Sequence, residues 1–210
     1  RVRMISRFYP IVDAGALASR GVAVAEFARE LRAAGVTLLQ YRDKVGSPQE
    51  VLRAAAVIRE VFAGVDGRMI LNDRADLAVL AGWSGVHVGQ GDLSPVDARR
   101  VVGDGRWVGI STHTEEEARL ADESCADYVA VGPVFGTVTK VDAEAVIGLE
   151  GVRRARALTR KPLVAIGGIT RENARSVVEA GADSVAVIGA LFAEGESCEK
   201  VARDFLEILG

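Results

Sequence analysis

Short, almost uninterrupted apolar runs alternate along this chain with longer stretches whose apolar positions recur every three or four residues. The runs are FYPIV (8–12), VTLLQYR (36–42), RMILN (68–72), GVHVG (85–89), WVGIS (107–111), DYVAVG (127–132), PLVAIGG (162–168) and SVAVIG (184–189). Continuous apolar character of this kind belongs to parallel strands buried on both faces. Between and after them lie VAVAEFARELRAAG (22–35), PQEVLRAAAVIREVF (48–62), ADLAVLAG (75–82), SPVDARRVV (94–102), TEEEARLADES (114–124), LEGVRRARALT (149–159), RENARSVVEAG (171–181) and CEKVARDFLEIL (198–209). The spacing of Val51, Ala54, Ala55 and Ile58 predicts a helix with one buried face. Ser47-Pro48 and Ser94-Pro95 read as helix starts, and Thr114 with Glu117 as a capping box.

Strict alternation of strand and helix implies a parallel sheet, and right-handed crossovers close eight such units into a barrel. The expected fold is therefore α/β, a (βα)8 TIM barrel with a parallel eight-stranded sheet. An open doubly wound sheet is the alternative, and it requires a reversal of strand order. No linker or low-complexity tract breaks the pattern, so residues 1–210 are expected to form a single domain. The longest interruption, GPVFGTVTKVDAEAVIG (132–148), exceeds the usual strand-to-helix loop and is on length alone a candidate lid.

Composition narrows the classes. The chain is 49% apolar and carries 26 basic against 29 acidic side chains, which excludes disorder. At a pI near 5.6 there is no basic field of the kind that grips nucleic acid. The longest charge-free stretch, Leu77 to Gly91, is broken by Ser84, His87 and glycines and is too short to span a membrane. Two cysteines, Cys125 and Cys198, make neither a disulfide framework nor a metal cluster, and a cytoplasmic location is expected. Nothing in the pattern decides the oligomeric state, so a homo-oligomer stays open.

The unusual polar residues gather at the C-terminal ends of the expected strands. Gln40, Arg42 and Lys44 follow the second, Asn72 and Asp73 the third, and Gln90 and Asp92 the fourth. Ser111 and His113 follow the fifth, Thr137, Thr139 and Lys140 the sixth, Gly167-Gly168 the seventh and Gly189 the eighth. In a barrel these ends open on one rim, where active sites are built. Asp73 and Asp92, beyond adjacent strands, suit two oxygen ligands of one Mg²⁺, which takes its remaining ligands from substrate phosphates. Taken singly, Asp73 reads as a helix N-cap and Asp92 as a turn residue. With Arg42, Lys44 and Lys140 converging on the same rim, the metal and diphosphate reading is the better one. Gly167-Gly168 and Ile188-Gly189 mark a second phosphate site in the loops after strands seven and eight. His87, between Val86 and Val88, reads as a hydrogen-bonded core histidine, whereas His113 lies on the rim without a partner motif. Tyr41 and Phe135 are placed either to flank an aromatic substrate or to pack in the core.

Seven segments in order make the chain recognisable: QYRDK (40–44), LNDRADLA (71–78), GVHVGQGDL (85–93), GISTHT (109–114), DYVAVGPVFGTVTK (127–140), AIGGIT (165–170) and AGADSVAVI (180–188). Together they resemble the thiamine-phosphate synthase family over nearly the whole chain. The resemblance implies a transferase that joins a pyrimidine diphosphate to a thiazole phosphate, releasing diphosphate. It implies that Gln40, Tyr41, Arg42, Asp43, Lys44, Asn72, Ser111 and Lys140 hold the pyrimidine diphosphate, with Arg42, Lys44, Ser111 and Lys140 acting in catalysis. Thr137, Val138, Thr139, Gly168, Ile188 and Gly189 would receive the thiazole phosphate, and Asp73 and Asp92 would hold Mg²⁺. The implied mechanism is dissociative, with electrostatics and positioning in place of a nucleophile. Gly189 stands where the family commonly has Ser, so one hydroxyl contact to the thiazole phosphate is lost. The alternatives are a thiazole tautomerase, with His113 as its acid–base group, and a non-catalytic sensor of thiamine phosphates. Retention of Arg42, Lys44, Asp73, Asp92 and Lys140 together favours coupling.

Overall fold

The computed structural model describes residues 4–136 and 145–210. Its strands are β1 (Phe8–Asp13), β2 (Leu38–Arg42), β3 (Arg68–Asn72), β4 (Gly85–Val88), β5 (Trp107–Thr112), β6 (Tyr128–Val131), β7 (Leu163–Ile166) and β8 (Ser184–Val187). They pair in chain order, all parallel, and β1 closes against β8 through Phe8 opposite Val185, so the sheet is the expected closed barrel. The surrounding helices are α1 (Ala14–Ala18), α2 (Val24–Ala34), α3 (Pro48–Val61), α4 (Ala75–Leu80), α5 (Pro95–Val102), α6 (Glu115–Glu123), α7 (Gly148–Leu158), α8 (Ala174–Glu179) and α9 (Cys198–Leu209). Among the described residues no helix is long and apolar enough to cross a membrane.

The two-residue period of each strand divides its side chains between two cores. Tyr9, Ile11, Leu38, Ile70, Trp107, Tyr128, Ala130, Val164 and Ala186 fill the barrel interior. Phe8, Val12, Leu39, Leu71, Val86, Val88 and their neighbours face outward and pack beneath the helices. The Tyr128 ring fits inside the barrel because a glycine stands opposite it: a Cβ on Gly109 would lie 2.0 Å from Cζ of Tyr128. Gly85 likewise admits the backbone of β5, since a Cβ there would lie 2.3 Å from the Trp107 carbonyl oxygen.

Three local expectations change. α1 is a short helix absent from the sequence pattern, started by Asp13, whose Oδ1 accepts from Ala16 N–H at 2.8 Å. The reciprocal capping box belongs to Ser47 and Glu50. At α6, Thr114 caps Glu117 N–H, but the Glu117 carboxylate accepts from His113 N–H at 2.6 Å. α8 begins later than its apolar period implies, because Asn173 Oδ1 accepts from Thr170 N–H at 2.8 Å and holds the preceding residues in a turn.

Candidate active site

Interior-facing positions at the C-terminal ends of the strands form the barrel mouth, where several of the sequence-selected residues lie. Gln40 and Arg42 continue the inward face of β2, Asn72 that of β3, His87 that of β4 and Ser111 that of β5, by alternation from the interior residues below them.

Two ion pairs organise the cations. Arg42 Nη1 lies 2.5 Å from Asp13 Oδ2, and Asp13 is 5% exposed, so β1 orients the guanidinium of β2. The second pair joins Lys44 Nζ to Asp73 Oδ2, also at 2.5 Å. Asp73 adopts a left-handed backbone with φ 60°, a conformation that aspartate tolerates better than most residues, and its N–H donates to the His87 carbonyl at 2.7 Å. That turn brings its carboxyl close to that of Asp92. Burial raises the Asp73 pKa; Lys44 opposes the shift and Asp92 adds to it. Asp73 does not cap a helix, since the α4 N-cap position is Arg74 and lacks a side-chain cap. Asp92 does serve its turn, accepting from Gly89 N–H at 2.8 Å. Asp73 thus stands between the Lys44 ammonium and the Asp92 carboxyl. Hard oxygen donors of this kind suit a divalent cation that takes further ligands from a bound anion. Among the described residues no group of three His, Cys, Asp or Glu is arranged for a metal.

Nearby, Asn72 Nδ2 is buried and has no hydrogen-bond partner. Buried donors are rarely left unmatched, so this amide marks a place for a ligand oxygen or nitrogen. Ser111 Oγ meets His87 Nε2 at 2.8 Å, and Gln90 Nε2 donates to the Ser111 carbonyl at 2.7 Å.

Other expectations are corrected. The ring of Tyr41 packs outward under the helices, edge-on to Trp83 at 6.5 Å, so it does not flank a substrate. Asp43 spends its carboxylate on its own turn, accepting from Gly46 N–H at 2.7 Å and Val45 N–H at 3.1 Å. Phe135 packs against the outer core. The glycines after β7 also have a different reason from the one expected. Gly167 and Gly168 have φ of 104° and 63°, and a Cβ on Gly168 would lie 2.5 Å from the Gly136 carbonyl oxygen. They admit the neighbouring loop, whose Phe135 N–H donates to Gly167 O at 2.9 Å. Ile188 packs on the interior cluster, and Gly189 opens a 3₁₀ turn through Leu191. Thr137, Val138, Thr139 and Lys140 lie outside the described residues.

Sequence reasoning missed Asp13, Tyr9 and Tyr128. Asp13 was signalled only by an acidic residue ending an apolar run. The two tyrosines looked like ordinary strand residues, yet their hydroxyls meet at 3.0 Å inside the barrel. His113, the rim histidine, holds Gly132 O at 2.8 Å through Nδ1.

Residues 8–191 match the family model described as thiamine monophosphate synthase. A thiamine-phosphate synthase of Koribacter versatilis is 50% identical over 207 residues, covering 98% of this chain and 96% of the relative. One from Chloroflexus aurantiacus is 41% identical, covering 89% of this chain and 85% of the relative. Among solved structures, a thiamine phosphate pyrophosphorylase from Pyrococcus furiosus superimposes with a TM-score of 0.86 at 32% identity, covering 97% of this chain and 95% of the other.

Proposed function

The chain belongs to the thiamine monophosphate synthase family and is a transferase that forms thiamine phosphate, and from that premise we propose how its rim performs the coupling. The substrates on this reading are 4-amino-2-methyl-5-hydroxymethylpyrimidine diphosphate and 4-methyl-5-(2-hydroxyethyl)thiazole phosphate, or its carboxylated form, whose carboxylate leaves as CO2. The observation that carries the site assignment is the Lys44–Asp73–Asp92 cluster at the ends of adjacent strands.

Arg42, oriented by Asp13, and Lys44 draw the diphosphate to the rim, and the Asn72 amide donates to it. By the family resemblance, Lys140 supplies a further positive charge for the diphosphate. Asp73 and Asp92 hold Mg²⁺, whose chemistry when bound is to neutralise charge on the diphosphate. The bond from the pyrimidine methylene to the diphosphate oxygen breaks, with the electron pair leaving on oxygen. The electron-rich aminopyrimidine, positioned by Gln40 and Ser111, bears the resulting cation. The thiazole nitrogen then supplies its lone pair to the methylene carbon. No proton is abstracted at the reacting nitrogen, so no general base is needed, and fixed charges aimed at the leaving group supply the rate enhancement. Thr137 to Thr139, with Gly168, Ile188 and the turn opened by Gly189, receive the thiazole phosphate. The reaction is set in the cytoplasm, in keeping with the unpaired Cys125 and Cys198.

The test is one incubation of the protein with both substrates and Mg²⁺, read by mass spectrometry with and without EDTA. Metal-dependent thiamine phosphate is the expected result. Equal yield in EDTA would remove Asp73 and Asp92 from the metal role. Binding of both substrates without turnover would favour a sensor, and isomerisation of the thiazole alone would favour a tautomerase.

A further inference from the structure

Four charged side chains beyond the ends of β7 and β8 form a network that the coupling chemistry does not use. Arg171 Nη2 lies 2.5 Å from Glu196 Oε1 and Arg171 Nη1 lies 3.1 Å from Glu196 Oε2, a two-pronged grip. Arg171 Nη1 also lies 2.5 Å from Asp204 Oδ2. Lys200 Nζ touches the same two carboxylates, at 2.7 Å from Glu196 Oε2 and 2.9 Å from Asp204 Oδ2. Lone surface ion pairs contribute little, but a bidentate guanidinium within a network of charges fixes a geometry. Two positive and two negative charges balance here, so the network has no surplus with which to attract an anion itself.

What it joins is two loops. Arg171 projects from the turn that follows β7. In that turn Thr170 N–H donates to Asn173 Oδ1 at 2.8 Å and Asn173 Nδ2 donates to Gly168 O at 3.1 Å, which ties residues 168–173 into one unit. Glu196 lies in the connection that follows β8, between the 3₁₀ turn opened by Gly189 and Ser197, the N-cap of α9. Phe192 in that connection stacks on Phe27 of α2, with ring centroids 5.1 Å apart. Arg171 therefore reaches from one loop to the other. Lys200 does not: it pairs at four-residue spacing with both carboxylates and stays on α9 and the connection leading into it.

We propose that Arg171 is a positioning residue for the thiazole phosphate, whose clamp on Glu196 and Asp204 sets the separation between the loop bearing Gly168 and the loop bearing Gly189. The inference rests on the assignment of those two loops to that phosphate. A phosphate held by backbone N–H groups from two loops needs both within hydrogen-bond distance at once, and a backbone cannot reach out as a long side chain can. The phosphate is the part of the thiazole that does not react. Loosening its cradle removes binding without altering the bonds made and broken, so KM rises while kcat is kept.

The experiment measures kcat and both KM values for the full chain and for Arg171→Met, Glu196→Gln and Lys200→Met. Arg171→Met is expected to raise KM for the thiazole phosphate about tenfold, short of the hundredfold that misplacing reacting groups by an ångström can cost. KM for the pyrimidine diphosphate and kcat should stay within about twofold, since neither depends on the two loops. Glu196→Gln keeps the shape and loses the charge; it gives the same direction and carries the comparison should Arg171→Met fail to fold. Lys200→Met should match the wild type. Equal rises in both KM values, an unchanged KM for the thiazole phosphate, or the same rise in Lys200→Met overturns the clamp. Hydrogen exchange in the wild-type chain tests the underlying assignment separately: thiazole phosphate should slow exchange at 167–173 and 189–196. Protection there with wild-type kinetics in Arg171→Met keeps the assignment and removes the clamp, whereas protection confined to other loops overturns both.

Discussion

Asp13→Asn isolates the charge that orients Arg42. The substitution keeps the volume of the side chain and an Oδ1 acceptor for Ala16 N–H, so the cap of α1 survives. What is lost is the charge at Oδ2, 2.5 Å from Arg42 Nη1. Removing one partner of a fully buried ion pair costs about 3–5 kcal/mol, because the other charge is left uncompensated. A single hydrogen bond to a charged group is worth about 1.5–3 kcal/mol. The Arg42 side chain is 20% exposed and keeps some access to water, which moves the expected cost to the lower range. A loss of about 2 kcal/mol in a chain of this size lowers Tm by about 4–8 °C. In kinetics, an untethered Arg42 raises KM for the pyrimidine diphosphate by about tenfold, equivalent to about 1.4 kcal/mol. KM for the thiazole phosphate stays unchanged. Thermal melts and initial rates with each substrate varied in turn measure both effects. An unchanged Tm would refute the energetic argument, and equal KM changes for the two substrates would refute the assignment of Arg42 to the diphosphate.

Gly109→Ala sets a Cβ 2.0 Å from Cζ of Tyr128, whose ring is confined by Tyr9, Trp107 and His87; a loss of at least about 1–3 kcal/mol in urea unfolding is expected. Gly91→Ala, in open space, is the control and should stay within about 0.5 kcal/mol. On the reading of Asp73 and Asp92 as a Mg²⁺ site, Asp92→Asn relieves like-charge repulsion. It should leave the metal-free Tm equal or higher while abolishing the rise in Tm on adding Mg²⁺, an outcome read from paired melts. Glu196 is held down to about 2 by its hydrogen bonds to Arg171 and then Lys200. Its folded pKa lies below the unfolded value of 4.5, so the unfolded chain takes up the proton first and stability falls as pH drops from 4.5 toward 2. Arg171→Met should flatten acid unfolding across that window, and an unaltered pH profile would count against the pair.

Much of the fold is readable because burial on both faces leaves a periodic trace. Each strand of the barrel coincides with one of the continuous apolar runs, and the helices from α2 onward with the three- and four-residue repeats. The misses occur where local hydrogen bonds override periodicity. α1 covers five residues, too few to repeat, and exists because Asp13 caps it. Arg171 to Asn173 carry a helical composition but lie in the turn tied by Asn173. Ser47 and Thr114 have the same i to i+3 pattern of hydroxyl and carboxylate. Only Glu50 reaches back to its cap residue, since Glu117 is taken by His113 N–H, and a pattern of residue types does not distinguish those outcomes.

At the site, position on a strand was readable but partnership was not. Alternation assigns Tyr9 and Tyr128 each to one face of its own strand, yet says nothing of a neighbour 119 residues away across the barrel. The same reasoning put His87 correctly in a hydrogen-bonded interior without revealing that Tyr128 and Ser111 are what it binds. At Gly168 the residue type was readable, but its packing against the chain's own Gly136 was not. Closure of a barrel creates contacts between strands that are neither consecutive nor adjacent, and these contacts carry its interior polar chemistry. A substitution there therefore acts through the group on the far wall. Ser111, at the barrel mouth, is linked through His87 and Tyr128 to Tyr9 on the far wall, which it does not touch.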